Sequence, residues 1–326
     1  MYFSRLVLRL YIMKRGWIAF LLLVVILLVV FYFFGSASTV SQNILIEANQ
    51  KTIYRCLTDK SLLQKWWKED RATSATSNLQ RAQVAYDNFS FAFAPRPFDV
   101  ADVVVHDGDQ SIQSFITVVP LLKDTCDVTW KAKLPTGGLF SRFANYSRAQ
   151  KLKRSMASAL QRLQQFVQSE KNVYGFPVAR EQVTDSLLVV TKMQDTVKPT
   201  VETYYGLIKK LRDYIARAGA QETNYPMLNI SKVDSTHYQT MVAIPVSKAL
   251  PGAGDIVPKR MVPGNILVAE VHGGMSNVTN GMHQMEAYVI EHSFAQPGLP
   301  FQSMVTDRLT ERDTSKWITK LYYPVQ

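Results

Sequence analysis

The sequence predicts an α+β protein: an N-terminal transmembrane helix followed by two α+β domains. Three observations carry this. Eighteen consecutive residues from Trp17 to Phe34 lack a charge or a strongly polar group. Between residues 40 and 170, two short helical segments, several strands with period-two alternation and one long amphipathic stretch follow one another. After residue 183 a strand–helix–strand–strand pattern occurs twice. The expected segments are 1–39 (cytoplasmic stub and anchor), 40–170 (first domain), 171–182 (linker) and 183–326 (second domain).

Taken as a helix, the run WIAFLLLVVILLVVFYFF spans roughly 27 Å, close to the hydrocarbon thickness of a bilayer. Lys14 and Arg15 flank its N-terminal side and Gly35-Ser36-Ala37-Ser38 its other side. Positive charge stays on the cytoplasmic side, so a single-pass protein is expected with its domains extracytoplasmic, in the periplasm or its equivalent. The competing reading is a cleaved signal peptide, since Gly35-x-Ala37 and Ser36-x-Ser38 resemble small-residue cleavage sites. Against cleavage, the run exceeds the usual signal-peptide core of about 7–15 residues. Either way the body lies outside the cytoplasm, which disfavours nucleic-acid binding and ATP-driven chemistry.

The composition agrees. Of 326 residues, 47% are hydrophobic and 19% charged, enough for buried cores and against wholesale disorder. Two cysteines exclude a disulfide-dense scaffold and a cysteine-rich zinc module. The net charge of +11 is local: Arg5, Arg9, Lys14 and Arg15 precede the first acidic residue, Glu47. Much of the rest lies between Arg142 and Arg162.

In the first domain, residues 43–47 read as a strand, Asn49 caps a helix carrying Ile53 and Leu57, and a second helix carries Leu62, Leu63, Trp66 and Trp67. Phe89, Phe91 and Phe93 share one strand face; Cys126, Val128, Trp130 and Ala132 share another. Residues 103–105 and 112–119 add two strands around Asp107-Gly108-Asp109. Leu152, Met156, Leu160, Leu163 and Val167 then form one helix face. This order, with Ile44-Leu45-Ile46-Glu47-Ala48 entering the first helix and Leu62-Leu63-x-x-Trp66 in the second, resembles the START-like (SRPBCC, polyketide-cyclase) superfamily. The resemblance implies a helix-grip fold, in which the long helix crosses a curved sheet and encloses an apolar cavity. Phe89, Phe91, Phe93 and Trp130 either line such a cavity or form core, and core is the expectation.

In the second domain, residues 183–191 read as a strand and Thr200 to Ala218 as an amphipathic helix stopped by Gly219. Strands follow near 225–230 and 237–244. The pattern recurs as a strand at 265–272, a helix at 277–292 and strands at 301–306 and 317–323. Such a duplication predicts a pseudo-two-fold sheet with a helix pair on one face, and a cleft on the other face or between the halves. Pro245-Val246, Val262-Pro263-Gly264-Asn265, His272-Gly273-Gly274, Gly298-x-Pro300-Phe301 and the ending Trp317-Ile318-Thr319-Lys320-Leu321-Tyr322-Tyr323-Pro324-Val325 resemble, in order and spacing, a GyrI-like effector-binding domain. That family commonly holds a pocket glutamate within Phe-Glu-x-Tyr after the Gly-x-Pro turn. Here the matching residues read Phe301-Gln302-Ser303-Met304, and Lys320 occupies a second position that is acidic in the family. The resemblance therefore implies a small-molecule pocket without its carboxylate, which favours a neutral or anionic guest over a cation.

The expected ligand-binding residues are Tyr205, His272, Tyr288, Gln302, Met304 and Trp317, with Gln302 orienting the guest by hydrogen bonds and the others supplying apolar contact. No catalytic residue, metal ligand or cofactor is expected. His283 and Glu286 stand three apart on a helix but lack a third partner nearby. Cys56 and Cys126 fall on apolar faces and read as buried thiols. The cations Arg142, Arg148, Lys151, Lys153, Arg154 and Arg162 read as a solvated helix face or a contact with anionic headgroups. No helix-turn-helix precedes the effector-like domain, and no nucleic-acid partner is expected. The function expected is non-catalytic binding of a small, largely apolar or amphipathic molecule by a membrane-anchored protein. The alternatives are a hydrolase of an electrophilic small molecule, and an envelope scaffold with unused clefts.

Overall fold

The computed structural model describes residues 17, 18, 20–29, 39–67, 82–86, 89–135, 139–183 and 187–326, divided into two compact units, Met1–Gln168 and Ser169–Gln326. Residues 17, 18 and 20–29 of the apolar run are helical, and the remainder to Phe34 lies outside the described residues. Eleven large apolar side chains between Trp17 and Val29 are exposed. Among the described residues, no helix is long and apolar enough to cross a membrane.

The first unit begins with β1 (Thr39–Ile46), α1 (Gln50–Thr58) and α2 (Lys60–Trp66). Asn49 caps α1 as expected, its side chain accepting from the Lys51 N–H, and Asp59 caps α2 by accepting from Ser61 and Leu62. Five strands follow: β2 (Ala82–Tyr86), β3 (Phe89–Arg96), β4 (Val100–Asp107), β5 (Gln110–Leu122) and β6 (Thr125–Lys133). They form an antiparallel sheet in the order β1-β6-β5-β4-β3-β2, and α3 (Leu139–Val167) follows. The predicted helix face of Leu152, Met156, Leu160, Leu163 and Val167 is buried throughout.

The alternating aromatics are core. Trp130, Phe91 and Phe93 are almost fully buried, with the Phe91 and Phe93 rings 5.6 and 6.1 Å from Trp130 and Trp67 packed 5.1 Å from Phe91. The Trp130 indole N–H donates to Ser114 Oγ at 3.0 Å, and Ser114 donates on to the Val103 carbonyl at 2.6 Å, so the buried polar atoms are paired. Cys56 and Cys126 are both buried and are not joined in a disulfide. The basic stretch on α3 divides. Arg148 pairs with Asp107 and Arg162 lies 5.7 Å over the Trp67 ring, while Lys151, Lys153 and Arg154 face solvent. The side chain of Arg142 lies outside the described residues.

The second unit starts with α4 (Glu170–Tyr174) and β7 (Ala179–Val183), so the stretch 171–182, expected as a linker, carries secondary structure. Its polar sequence suits an edge strand: β7 pairs only with one neighbour, and Ala179 to Gln182 are exposed. Then come β8 (Leu187–Asp195), α5 (Val201–Arg217), β9 (Met227–Lys232), β10 (Tyr238–Pro245) and a short β11 (Val257–Arg260). The second repeat is β12 (Gly264–His272), α6 (Met275–Glu291), β13 (Phe301–Met304) and β14 (Ile318–Val325). Thr200 forms a capping box with Thr203, and Gly219, at φ 62°, ends the helix where expected.

These strands make one antiparallel sheet, β11-β8-β10-β9-β13-β14-β12-β7. The order exposes the duplication: β8-β10-β9 and β12-β14-β13 are mirrored about the β9–β13 junction. Strand alternation assigns the faces. Val242 and Ile244 of β10 pack with Tyr204, Ile208 and Leu211 of α5. Leu321 and Tyr323 of β14 face α6, where the Tyr323 hydroxyl donates to the Met282 carbonyl at 2.9 Å and Leu321 lies beside Gly281. Both helices therefore cover one face. The other is open.

Candidate ligand cleft

On the open face lies a cleft of about 420 Å³. Its floor takes every second residue from consecutive strands: Leu188 and Val190, Met241 and Ala243, Met227 and Asn229, then Phe301. Two stretches wall it: Val262-Pro263-Gly264-Asn265, the motif leading into β12, and Pro297-Gly298-Leu299, which overlaps the Gly298-x-Pro300-Phe301 motif. The lining is chiefly aliphatic and methionine-rich, with Lys259 of β11 at its exposed edge. Among the described residues no Asp or Glu lines it. Phe301 stacks on its cross-strand neighbour Tyr322 at 4.8 Å and 11°, which keeps the ring flat against the floor.

Asn229 is the polar group set into this floor. It is buried; its Nδ2 donates to the Pro300 carbonyl at 2.7 Å, and its Oδ1 is shielded from water without a hydrogen-bond partner.

None of the six residues expected to bind ligand lines the cleft. Gln302 and Met304 alternate with Phe301 and Ser303, and so face the helices; Met304 packs in the α5 core, and Gln302 Oε1 is buried without a partner. Tyr205 lies in the same core and accepts the Arg308 N–H at 2.6 Å. Trp317 is buried and lies 5.0 Å from the Arg308 guanidinium, its indole N–H donating to the Glu311 carbonyl. His272 is exposed at the end of β12 and pairs with Glu270 at 3.0 Å. Tyr288 stacks on His292 at 4.0 Å and donates to Glu170 at 3.1 Å. The structure thus gathers Tyr205 and Trp317 about Arg308 and places His272 and Tyr288 elsewhere.

Arg308 fills the hollow where those residues converge. It is buried and bonds to Tyr204 Oη at 2.8 Å, Thr319 Oγ1 at 2.9 Å and Met275 Sδ at 3.0 Å. Burial pushes the Tyr204 phenol above its usual range against the opposing pull of this guanidinium. The helix-side interior is therefore occupied by the chain's own atoms, and the free volume lies across the sheet. His283 and Glu286 stand exposed, 4.0 Å apart, and among the described residues no group of three or more His, Cys, Asp or Glu is placed to hold a metal.

Arg308 and Asn229 escaped sequence reasoning. Arg308 lies between strands, where no periodicity marks a buried residue. Asn229 alternates with Leu228 and Ile230, so its side of β9 reads as the solvent side.

No family model and no curated protein matches the sequence. Solved structures resemble parts of it. The C-terminal domain of EcmrR is 15% identical, with a TM-score of 0.41 over 46% of this chain and 98% of that one. SAV2435 bound to tetraphenylphosphonium is 14% identical, with a TM-score of 0.32 over 46% of this chain and 94% of that one. A START superfamily protein from Mycobacterium smegmatis is 19% identical, with a TM-score of 0.29 over 40% of this chain and 97% of that one.

Proposed function

We propose that this protein is a membrane-tethered, extracytoplasmic binding protein that holds a small, largely apolar molecule in the cleft of its GyrI-like second domain. In its START-like first domain, Phe91, Phe93 and Trp130 are buried against one another as core. The cleft itself carries the reading: about 420 Å³, floored by alternating residues of the adjacent strands β8, β10, β9 and β13, and chiefly apolar, with Asn229, Asn265, Gln326 and the edge lysine as its polar groups. That is the size and chemistry of a small-molecule site. A nucleophile paired with a base is absent from its lining among the described residues, so retention of a guest fits better than turnover. For the tether, the support is the helical stretch at residues 17, 18 and 20–29, in which eleven large apolar side chains are exposed; a helix apolar all round is stable in a hydrocarbon environment.

The test is mass spectrometry of small molecules retained by the full-length chain in lipid nanodiscs, with empty nanodiscs as reference. Wild type is expected to retain an apolar molecule that Ala243→Trp, which fills the cleft floor, loses while keeping its circular dichroism spectrum. Equal retention by the two proteins, or none by either, overturns the reading. Resistance of the chain to carbonate extraction tests the tether separately.

A further inference from the structure

We infer that the cleft selects an apolar guest bearing a hydrogen-bond donor, a hydroxyl or an amide N–H, and that Asn229 is the residue that reads it. This rests on the cleft being the binding site. The amide of Asn229 has a fixed orientation. Its neighbour, the Pro300 carbonyl, can only accept, so the NH2 group must face it, as the 2.7 Å bond shows. The oxygen is left over. Asn229 is only 7% exposed, and its Oδ1 is shielded from solvent and has no protein donor. A buried acceptor in that state carries an unrecovered desolvation cost, which a guest's donor removes.

The surroundings allow the approach. Met241 is the cross-strand partner of Asn229, and Met227 lies two residues along the same face. Both are unbranched side chains that can swing aside and then pack against the guest. Asn229 also sits at the junction of the two repeats, bonded to the residue that precedes β13, so its position is fixed by both halves of the sheet. An apolar wall alone separates related guests weakly. A polar group built to bond discriminates far more strongly against an analogue lacking the matching group. A guest offering only an acceptor would set two oxygens against each other.

Equilibrium dialysis of decanol and of decyl methyl ether against the full-length chain in lipid nanodiscs, with empty nanodiscs subtracted, tests this. Decanol is expected to bind roughly tenfold more tightly than the ether. Asn229→Leu, which removes the acceptor at similar volume, is expected to bring the two to equal affinity, and Ala243→Trp to abolish both. Should Asn229→Leu fail to fold, the contrast on wild type decides. Equal binding of the two probes by wild type, or a preference that survives Asn229→Leu, overturns the assignment of Asn229 while the apolar site stands. Binding of neither probe overturns the site as well.

Discussion

The Arg308 guanidinium lies 5.0 Å from the centre of the Trp317 ring and 5.8 Å from that of Tyr204, a buried cation held by rings and neutral acceptors. No ion pair to it is found among the described residues. Cation–π contacts and three hydrogen bonds replace a carboxylate. Because Arg308 also meets Tyr205 through its backbone, it latches the segment after β13 onto α5 and β14. Arg308→Ala leaves the Tyr204 and Thr319 hydroxyls without this partner and opens a void. It should cost about 2–4 kcal/mol of unfolding free energy. Arg308→Met, which keeps most of the volume, should recover part of that. Urea denaturation followed by tryptophan fluorescence reads both, and midpoints unchanged from wild type would show that the latch contributes nothing.

Asp59 makes the first unit sensitive to acid. Burial works to raise its carboxyl, but this is outweighed by hydrogen bonds from the Ser61 hydroxyl, the Leu62 and Ser61 N–H groups and the nearby Arg55 charge, so its pKa falls below the usual carboxylate value. A depressed carboxyl contributes stability that is complete above its unfolded value, near 4, and lost as pH falls through the lower folded value. Asp59→Ala is therefore expected to cost about 1 kcal/mol at neutral pH, as caps do, and the gap to wild type should close in strong acid. Asp59→Asn keeps a capping oxygen, so its loss at neutral pH should be smaller and should likewise shrink towards strong acid. A gap that stays constant from neutral to acid pH would rule out the ionised cap.

How far these features could be read in advance depended on whether burial followed a regular period. The faces of α3 and α5, the aromatic alternation of β3 and the β6 face through Trp130 were legible because a half-buried element writes its geometry into the spacing of apolar residues. The two edge strands of the second sheet were not. In β7, Ala-Arg-Glu-Gln-Val lies mostly exposed, and in β11, Val-Pro-Lys-Arg is exposed throughout and contains a proline, so neither carries a buried stripe. Gln302 and Met304 fall on the helix side of β13, not on the cleft side, for a related reason. In Phe301-Gln302-Ser303-Met304 each face offers one large apolar residue and one polar residue, so the four residues alone leave the phase open. Pairing decides it: Gln302 lies opposite Leu321 and Leu228, which both face the helices. The cleft-walling segments that carry Pro263-Gly264 and Gly298 were visible in sequence, but the floor between them comes from strands distant in the chain.

Gly281 lies within α6, where replacing glycine by alanine ordinarily stabilises a helix by about 1 kcal/mol. Here the sign should reverse. A Cβ at this position would stand 2.8 Å from Val271 Cγ2 and 2.9 Å from Leu321 Cδ1, and Leu321 is fully buried. Val271 is β-branched and stiff at χ1, so relief requires α6 to lift from β12 and β14. Overpacking of this kind costs about 1–3 kcal/mol, which outweighs the propensity gain. Gly281→Ala should therefore unfold at lower denaturant than wild type, and Gly281→Ala combined with Val271→Ala, which clears the nearest clash, should lose less than the two single changes added together. A single variant more stable than wild type would show that α6 has room for a methyl group against Val271 and Leu321.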